Sequence, residues 1–216
     1  MAGDKKSFKN YAIILIFINT AILMLEAFFP VIVEMFGLYP PNFIAEPWII
    51  MTSMFLHSGF EHLLYNMFAL GLFGIVLERI IGSEKFIIGY VLSGIFAGLA
   101  TILMYPLSIS IGASGAIYGI IGILSVLRPR MMIYIAVPLP MLFYAVIYVF
   151  FDVVGIITGV NPDNIAYGAH VAGFIGGVIF GLRIKDQYLE EKEINAEISH
   201  EFDDDEFNRW EEKYMK

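Results

Sequence analysis

Long apolar blocks joined by short polar stretches dominate the chain. The blocks cover roughly residues 11–36, 61–81, 86–105, 113–127, 131–151 and 167–184, and a helix that crosses a bilayer needs about 20 apolar residues. The pattern predicts an all-α membrane protein with six transmembrane helices. The fourth block is the shortest, which is tolerable in a helix surrounded by other helices instead of lipid. The first block runs on from Tyr11 to Phe36, beyond the roughly 7–15 apolar residues of a cleavable leader, so it reads as a retained span. In the fifth block, Pro138 and Pro140 predict a distorted cytoplasmic half, because proline removes a backbone donor and clashes with the preceding turn.

Charge sets a direction on this pattern. All 13 Lys and Arg fall in the N-terminal segment (Lys5, Lys6, Lys9), at the second connection (Arg79, Lys85), at the fourth (Arg128, Arg130) or from the end of the last block onward (Arg183 and after), while 37–60, 106–112 and 152–166 contain none. Under the positive-inside rule this alternation places both termini in the cytoplasm. The division that follows is a membrane core over 1–184 and an acidic cytoplasmic tail over 185–216, flexible or partly helical. The first connection, "GLYPPNFIAEPWIIMTSMFLHSGF", carries Trp48, Phe55 and several aliphatics, so it is expected to lie in the interface, aromatics at headgroup depth.

Composition sharpens the class. Of 216 residues, 58% are hydrophobic and 16% charged, against about 45–50% apolar in soluble domains. There is no cysteine, which excludes disulfides and thiolate metal sites. No basic groove with interleaved aromatics occurs, so nucleic acid is not an expected partner.

Polar side chains within spans are costly and point to function. With the direction set as above, His62 and Asn66 lie in the first turns of the second span, four apart on one face. Ser114 lies in the first turn of the fourth span, and His170 about one turn into the sixth. Four polar residues on three helices therefore share one depth, just below the outer surface. Gly115, Gly119 and Gly122 form a small-residue stripe, as do Gly173 and Gly177 beyond His170, and such stripes let helix backbones approach closely. If these faces meet, Ser114 and His170 come within reach as a nucleophile and its base, the arrangement that supports acyl transfer. No carboxylate stands out as a partner for His170, which predicts a Ser–His dyad. Tyr118, one turn beyond Ser114, is placed to pack on the imidazole. Asn66, His62 and the Ser114 N–H are the candidate oxyanion donors.

"GASG" at 112–115, "HLLYN" at 62–66 and "AHVAGFIGG" at 169–177 together resemble the rhomboid intramembrane serine proteases, over about residues 10–184 and in the family's order. The resemblance implies a six-span rhomboid-like bundle that cleaves other membrane proteins in or near their transmembrane segments, without a cofactor or metal. It makes Ser114 the nucleophile, His170 the base, His62 and Asn66 the lining of the oxyanion hole and Tyr118 the stacking aromatic. Gly112, Gly115, Gly119, Gly173 and Gly177 would serve close packing. "GIVLERIIG" at 74–82 matches the second-span pattern, in which Glu78 is structural. The outer half of the fifth span would border substrate entry. The family commonly has Trp-Arg in the first loop, whereas Ile49 follows Trp48 here. Six spans without a seventh resemble the prokaryotic form, so the expected location is the plasma membrane, the site facing the outer side.

Other readings fit less well. A non-catalytic rhomboid-like protein that binds membrane helices would be expected to lack Ser114 or His170. A transporter would be expected to have half-spans broken near the midplane. "HSGFEH" at 57–62 has one residue too many for an H-x-x-E-H zinc motif. Asn19 and Glu26 in the first span read as structural hydrogen-bonders, and His57 carries no assigned role.

Overall fold

A computed structural model describes residues 8–135, 137–161 and 165–214, with side chains as far as residue 194. Lys5 and Lys6, residues 162–164 of the fifth connection and the side chains of the 195–216 tail lie outside the described residues.

The chain is mostly helical, and its punctuation explains where helices begin and end. The first block divides into α1 (Tyr11–Phe28) and a short α2 (Val31–Phe36). The break falls at Phe29, φ −132°, because the residue before Pro30 is pushed out of helical geometry. The first connection folds into a one-turn α3 (Ile49–Thr52) between 3₁₀ turns at Pro40–Asn42 and Ser53–Phe55. Its Leu38, Ile49, Ile50, Met54 and Leu56 are buried, while Ile44 and Trp48 stay exposed. The second block forms α4 (Phe60–Ala69), a π turn (Leu70–Gly74) and α5 (Ile75–Ile81), continuous over Phe60–Ile81. Gly82 at φ +83° turns the chain into α6 (Ser83–Met104). Then come α7 (Ser114–Leu127), α8 (Met141–Thr158) and the long α9 (Tyr167–Tyr214).

Two features depart from the sequence pattern. Met132–Tyr134 and Pro138–Pro140 pair as a small antiparallel hairpin, β1 and β2, so the fold is not purely α. The fifth helix accordingly starts at Met141 and runs to Thr158, not over 131–151. The physical reason is the two prolines: instead of distorting the first turns of a helix, they hold the preceding chain extended, with the helix beginning directly after Pro140.

Five helices are long and apolar enough to cross a membrane, and α7, also apolar, has 14 residues. The short helix is the central one. Eleven of its residues are buried, and it packs on α6, α8 and α9. The core around it contains Phe73, Leu77, Phe86, Tyr90, Ile120 and Leu124, while Phe17, Phe68, Leu103 and Phe151 face outward, as expected of a surface that meets lipid. Glu78, 1% exposed, ties the start of α1 to the end of α5. Its carboxylate accepts the Tyr11 and Ala12 N–H groups at 2.8 and 2.9 Å and the Ser83 hydroxyl at 2.5 Å. The carboxyl oxygens sit at a helix N-terminus, where orphan N–H groups need acceptors.

Candidate active site

The two glycine-bearing helices bring the polar residues together. A Cβ built on Gly173 would run into the carbonyl oxygen of Gly115, and one on Gly177 into that of Gly119. At Gly122 an added Cβ would lie 2.5 Å from the Phe174 carbonyl oxygen. The backbones of α7 and α9 are therefore in contact, and no side chain fits between them.

That approach puts Ser114 Oγ 2.8 Å from His170 Nε2. Tyr118 lies parallel to the imidazole, ring centroids 4.4 Å apart and planes at 16°, and Tyr148 of α8 meets Tyr118 edge-on at 5.8 Å. Two aromatics thus hold the plane of the His170 ring. Ser114 opens α7, and the N–H groups of its first turn have no intrahelical acceptor.

Gly112 is a correction to the packing assignment. It makes no helix–helix contact. It lies in the loop before α7 at φ +125°, and its N–H donates to the Ser53 carbonyl at 2.9 Å. An added Cβ there would sit 2.8 and 2.9 Å from Cε1 and Nε2 of His62 and 3.8 Å from Ser114 Oγ. The glycine keeps open the space between His62 and the serine. A side chain would fill that space, and φ in this range also disfavours one.

His62 is aimed by its neighbours. Its Nδ1 accepts the Ser58 N–H at 3.4 Å, with the Ser58 hydroxyl at 3.1 Å. An accepting Nδ1 leaves the proton of the neutral ring on Nε2, the nitrogen on the Gly112 side. Asn66 is buried, and its Nδ2 donates to the His62 carbonyl at 2.9 Å, which leaves one N–H of that amide available. His57 packs edge-on against His62, centroids 5.1 Å apart. Its backbone N–H donates to both oxygens of Glu26 at 3.2 and 3.3 Å, so Glu26 anchors the segment in front of α4. Among the described residues neither ring nitrogen of His57 has a hydrogen-bond partner, and burial pushes this imidazole down to about 4. Asn19 donates to the Leu15 carbonyl of its own helix at 2.7 Å.

The sequence pattern offered no carboxylate for His170, and here the structure adds a residue. Asp152 of α8, 5% exposed, puts Oδ2 at 3.3 Å and Oδ1 at 3.5 Å from His170 Nδ1. The apolar pattern puts Asp152 in the fifth connection, because the fifth apolar block ends at Phe151. With the helix starting at Met141 it falls in the fourth turn, as the single charged residue of α8. The signal that could have found it is the pair of prolines. Among the described residues no cluster of His, Cys, Asp and Glu suits a metal ion.

A profile of the rhomboid domain matches residues 45–187. The chain is 35% identical over 135 residues to the rhomboid protease GluP of Bacillus subtilis, covering 61% of this chain and 25% of that protein. It is 35% identical over 152 residues to RHOMBOID-like protein 1 of Arabidopsis thaliana, covering 68% and 38% of the two chains. With the mitochondrial RHOMBOID-like protein 6 of the same plant it shares 35% over 137 residues, covering 63% and 43%. The matched segments are less than half the length of these relatives.

Proposed function

The chain belongs to the rhomboid family, and from that premise we propose that it is a serine endopeptidase that hydrolyses peptide bonds in or near transmembrane segments of other membrane proteins. One observation carries the reading: a serine hydroxyl at the start of a buried helix lies 2.8 Å from an imidazole whose plane is held by a stacked tyrosine.

In the proposed mechanism His170 Nε2 takes the Ser114 proton as Oγ attacks the scissile carbonyl. The carbonyl π electrons move to oxygen, and the oxyanion meets His62 Nε2–H, the Ser114 N–H and Asn66. The tetrahedral species collapses as the imidazolium protonates the leaving amine. Water, deprotonated by the same nitrogen, then cleaves the acyl-enzyme. A substrate helix must unwind locally to offer its carbonyl, since helical carbonyls are already bonded, so segments with glycine or proline are preferred. The family resemblance adds a small residue at the cleaved bond.

The same reading takes α7 as a span too, the fourth of six, places both termini in the cytoplasm of a plasma-membrane protein, and opens the site to the outer side. It treats 1–184 as the catalytic core and 185–216 as a cytoplasmic tail. The test is cleavage of a single-span substrate in liposomes by purified protein. Ser114→Ala and His170→Ala should each lower kcat by about 10³-fold or more, by analogy with loss of a serine-protease nucleophile or base. An inert parent, or a Ser114→Ala variant as active as the parent, overturns the proposal.

A further inference from the structure

We propose that the segment between α7 and α8 is a docking site for an anionic phospholipid. Arg128 and Arg130 take the headgroup phosphate, and the tip of the β1–β2 hairpin lies against the upper part of the acyl chains. The site goes beyond the protease reading and takes from it only the orientation in the bilayer.

The segment is held in one shape. The Met131 carbonyl accepts the Met141 N–H at 2.8 Å, and the Pro129 carbonyl accepts the Leu142 N–H at 3.1 Å, so the loop and the first turn of α8 form one unit. Ile133 is buried in the main core, and the Tyr144 hydroxyl donates to the Val137 carbonyl at 2.8 Å. Leu127, Arg128, Pro129, Arg130 and Met131 line an open cavity of about 530 Å³, ample for a phosphodiester.

The charge in this cavity is uncompensated. Among the described residues neither arginine takes part in an ion pair. Arg128 lies over the Tyr188 ring, 5.6 Å from its centroid, a contact that holds the guanidinium without neutralising it. Among the described residues its Nε has no hydrogen-bond acceptor, and Arg130 is exposed. A guanidinium offers a planar fork of N–H donors that matches phosphate oxygens.

The hairpin tip selects the kind of phosphate. Tyr134 is 77% exposed and Val137 58%, and Met132 and Ile135 are exposed beside them. A free anion would engage the arginines and leave this apolar surface in water. A phospholipid satisfies both, with its phosphate on the guanidiniums and its chains against the tip, the division of labour of segments that lie in the interface. The segment follows the end of α7 remote from Ser114, and in the proposed orientation it meets the cytoplasmic leaflet, whose surface is negative.

The experiment measures binding of phosphatidylglycerol to the full chain in a neutral detergent, by native mass spectrometry and by the shift in unfolding temperature. The parent should bind it at least tenfold more tightly than phosphatidylcholine of the same chains, and unfold at a higher temperature in its presence. The double variant Arg128→Gln/Arg130→Gln should bind it about 30-fold more weakly, the equivalent of roughly 1 kcal/mol for each arginine near an anionic surface, and lose the temperature shift. Arg79→Gln, exposed at the second connection, should bind as the parent does. Should the double variant not fold, the exposed Arg130→Gln decides the matter by a loss of about fivefold. The proposal is overturned if the two lipids bind alike, if the double variant binds phosphatidylglycerol as tightly as the parent, or if Arg79→Gln loses as much as the double variant. Inorganic phosphate that stabilises the parent as strongly as phosphatidylglycerol would make this a free-anion site and overturn the lipid assignment. Cleavage is not measured, so a parent that cleaves nothing defeats the protease reading and leaves this result standing.

Discussion

A methyl group added at Gly112 would sit 2.9 Å from His62 Nε2 and 3.8 Å from Ser114 Oγ, in the space proposed for the oxyanion. Gly112→Ala is therefore expected to lower kcat about 100-fold or more, the scale of losing an oxyanion donor. The backbone strain at φ +125° adds a stability loss of roughly 1–3 kcal/mol. Cleavage kinetics beside thermal unfolding separates the two effects, and an Ala variant with parental kcat would show that the space is not used. His57 makes a different prediction. The folded protein holds its imidazole neutral down to about 4, against an ordinary value of 6.5. As pH falls through that window the unfolded chain takes up a proton that the folded state refuses. His57 therefore removes stability below pH 6.5, by about 3 kcal/mol once pH reaches its folded value, and has no such effect above 6.5. His57→Phe, which removes the titrating ring, should show a smaller drop in unfolding temperature than the parent between about pH 7 and 4.5. An unchanged pH dependence would refute this account of His57.

At the scale of elements, the contact between α7 and α9 sets the distance between Ser114 and His170. An added Cβ at Gly177 would meet the Gly119 carbonyl, a backbone atom that cannot rotate away, whereas at Gly71 it would meet only Ile16 Cδ1 at 3.7 Å. Gly177→Ala should thus cost stability and activity together, on the scale of about 1–3 kcal/mol for overpacking. Gly71→Ala should be neutral in both, and equal behaviour of the two variants would contradict this packing. That α7 and α9 meet was legible in the sequence, because glycines at helical spacing leave a surface only another backbone can fill. The approach of His62, Ser114 and His170 was legible for a related reason, since each lies close to the start of an apolar block. Asp152 was not legible. Residues 131–137 are as apolar as a span, so periodicity does not separate hairpin from helix, and the apolar pattern begins ten residues before α8 does. The break at Pro30 and the buried face of the first connection escaped for the same cause. In a membrane chain hydrophobicity marks lipid contact and core alike, and only proline and glycine divide it.

Viewed as a whole molecule, the proposed site makes sense only at one side of the bilayer, and the chain offers a direct way to establish which. Ser110 pairs with Leu38, and Gly112 is held by Ser53, so the loop leading into Ser114 is stitched to the first connection. Both segments lack Lys and Arg, whereas Arg128 and Arg130 follow the far end of α7 and Arg183 and Lys185 lie in the far part of α9. A bilayer with its positive-inside bias then has one orientation that suits every connection. The proposed orientation is that one, and it opens the serine to the outer aqueous phase that must supply water for hydrolysis. The chain has no cysteine, so single cysteines report without background. Ser108 and Gln187 are both exposed, at opposite ends of this arrangement. Ser108→Cys should react with a membrane-impermeant maleimide in intact cells, and Gln187→Cys only after lysis. The reverse pattern would turn the site toward the cytoplasm, and with it the side from which a substrate helix must present its unwound segment.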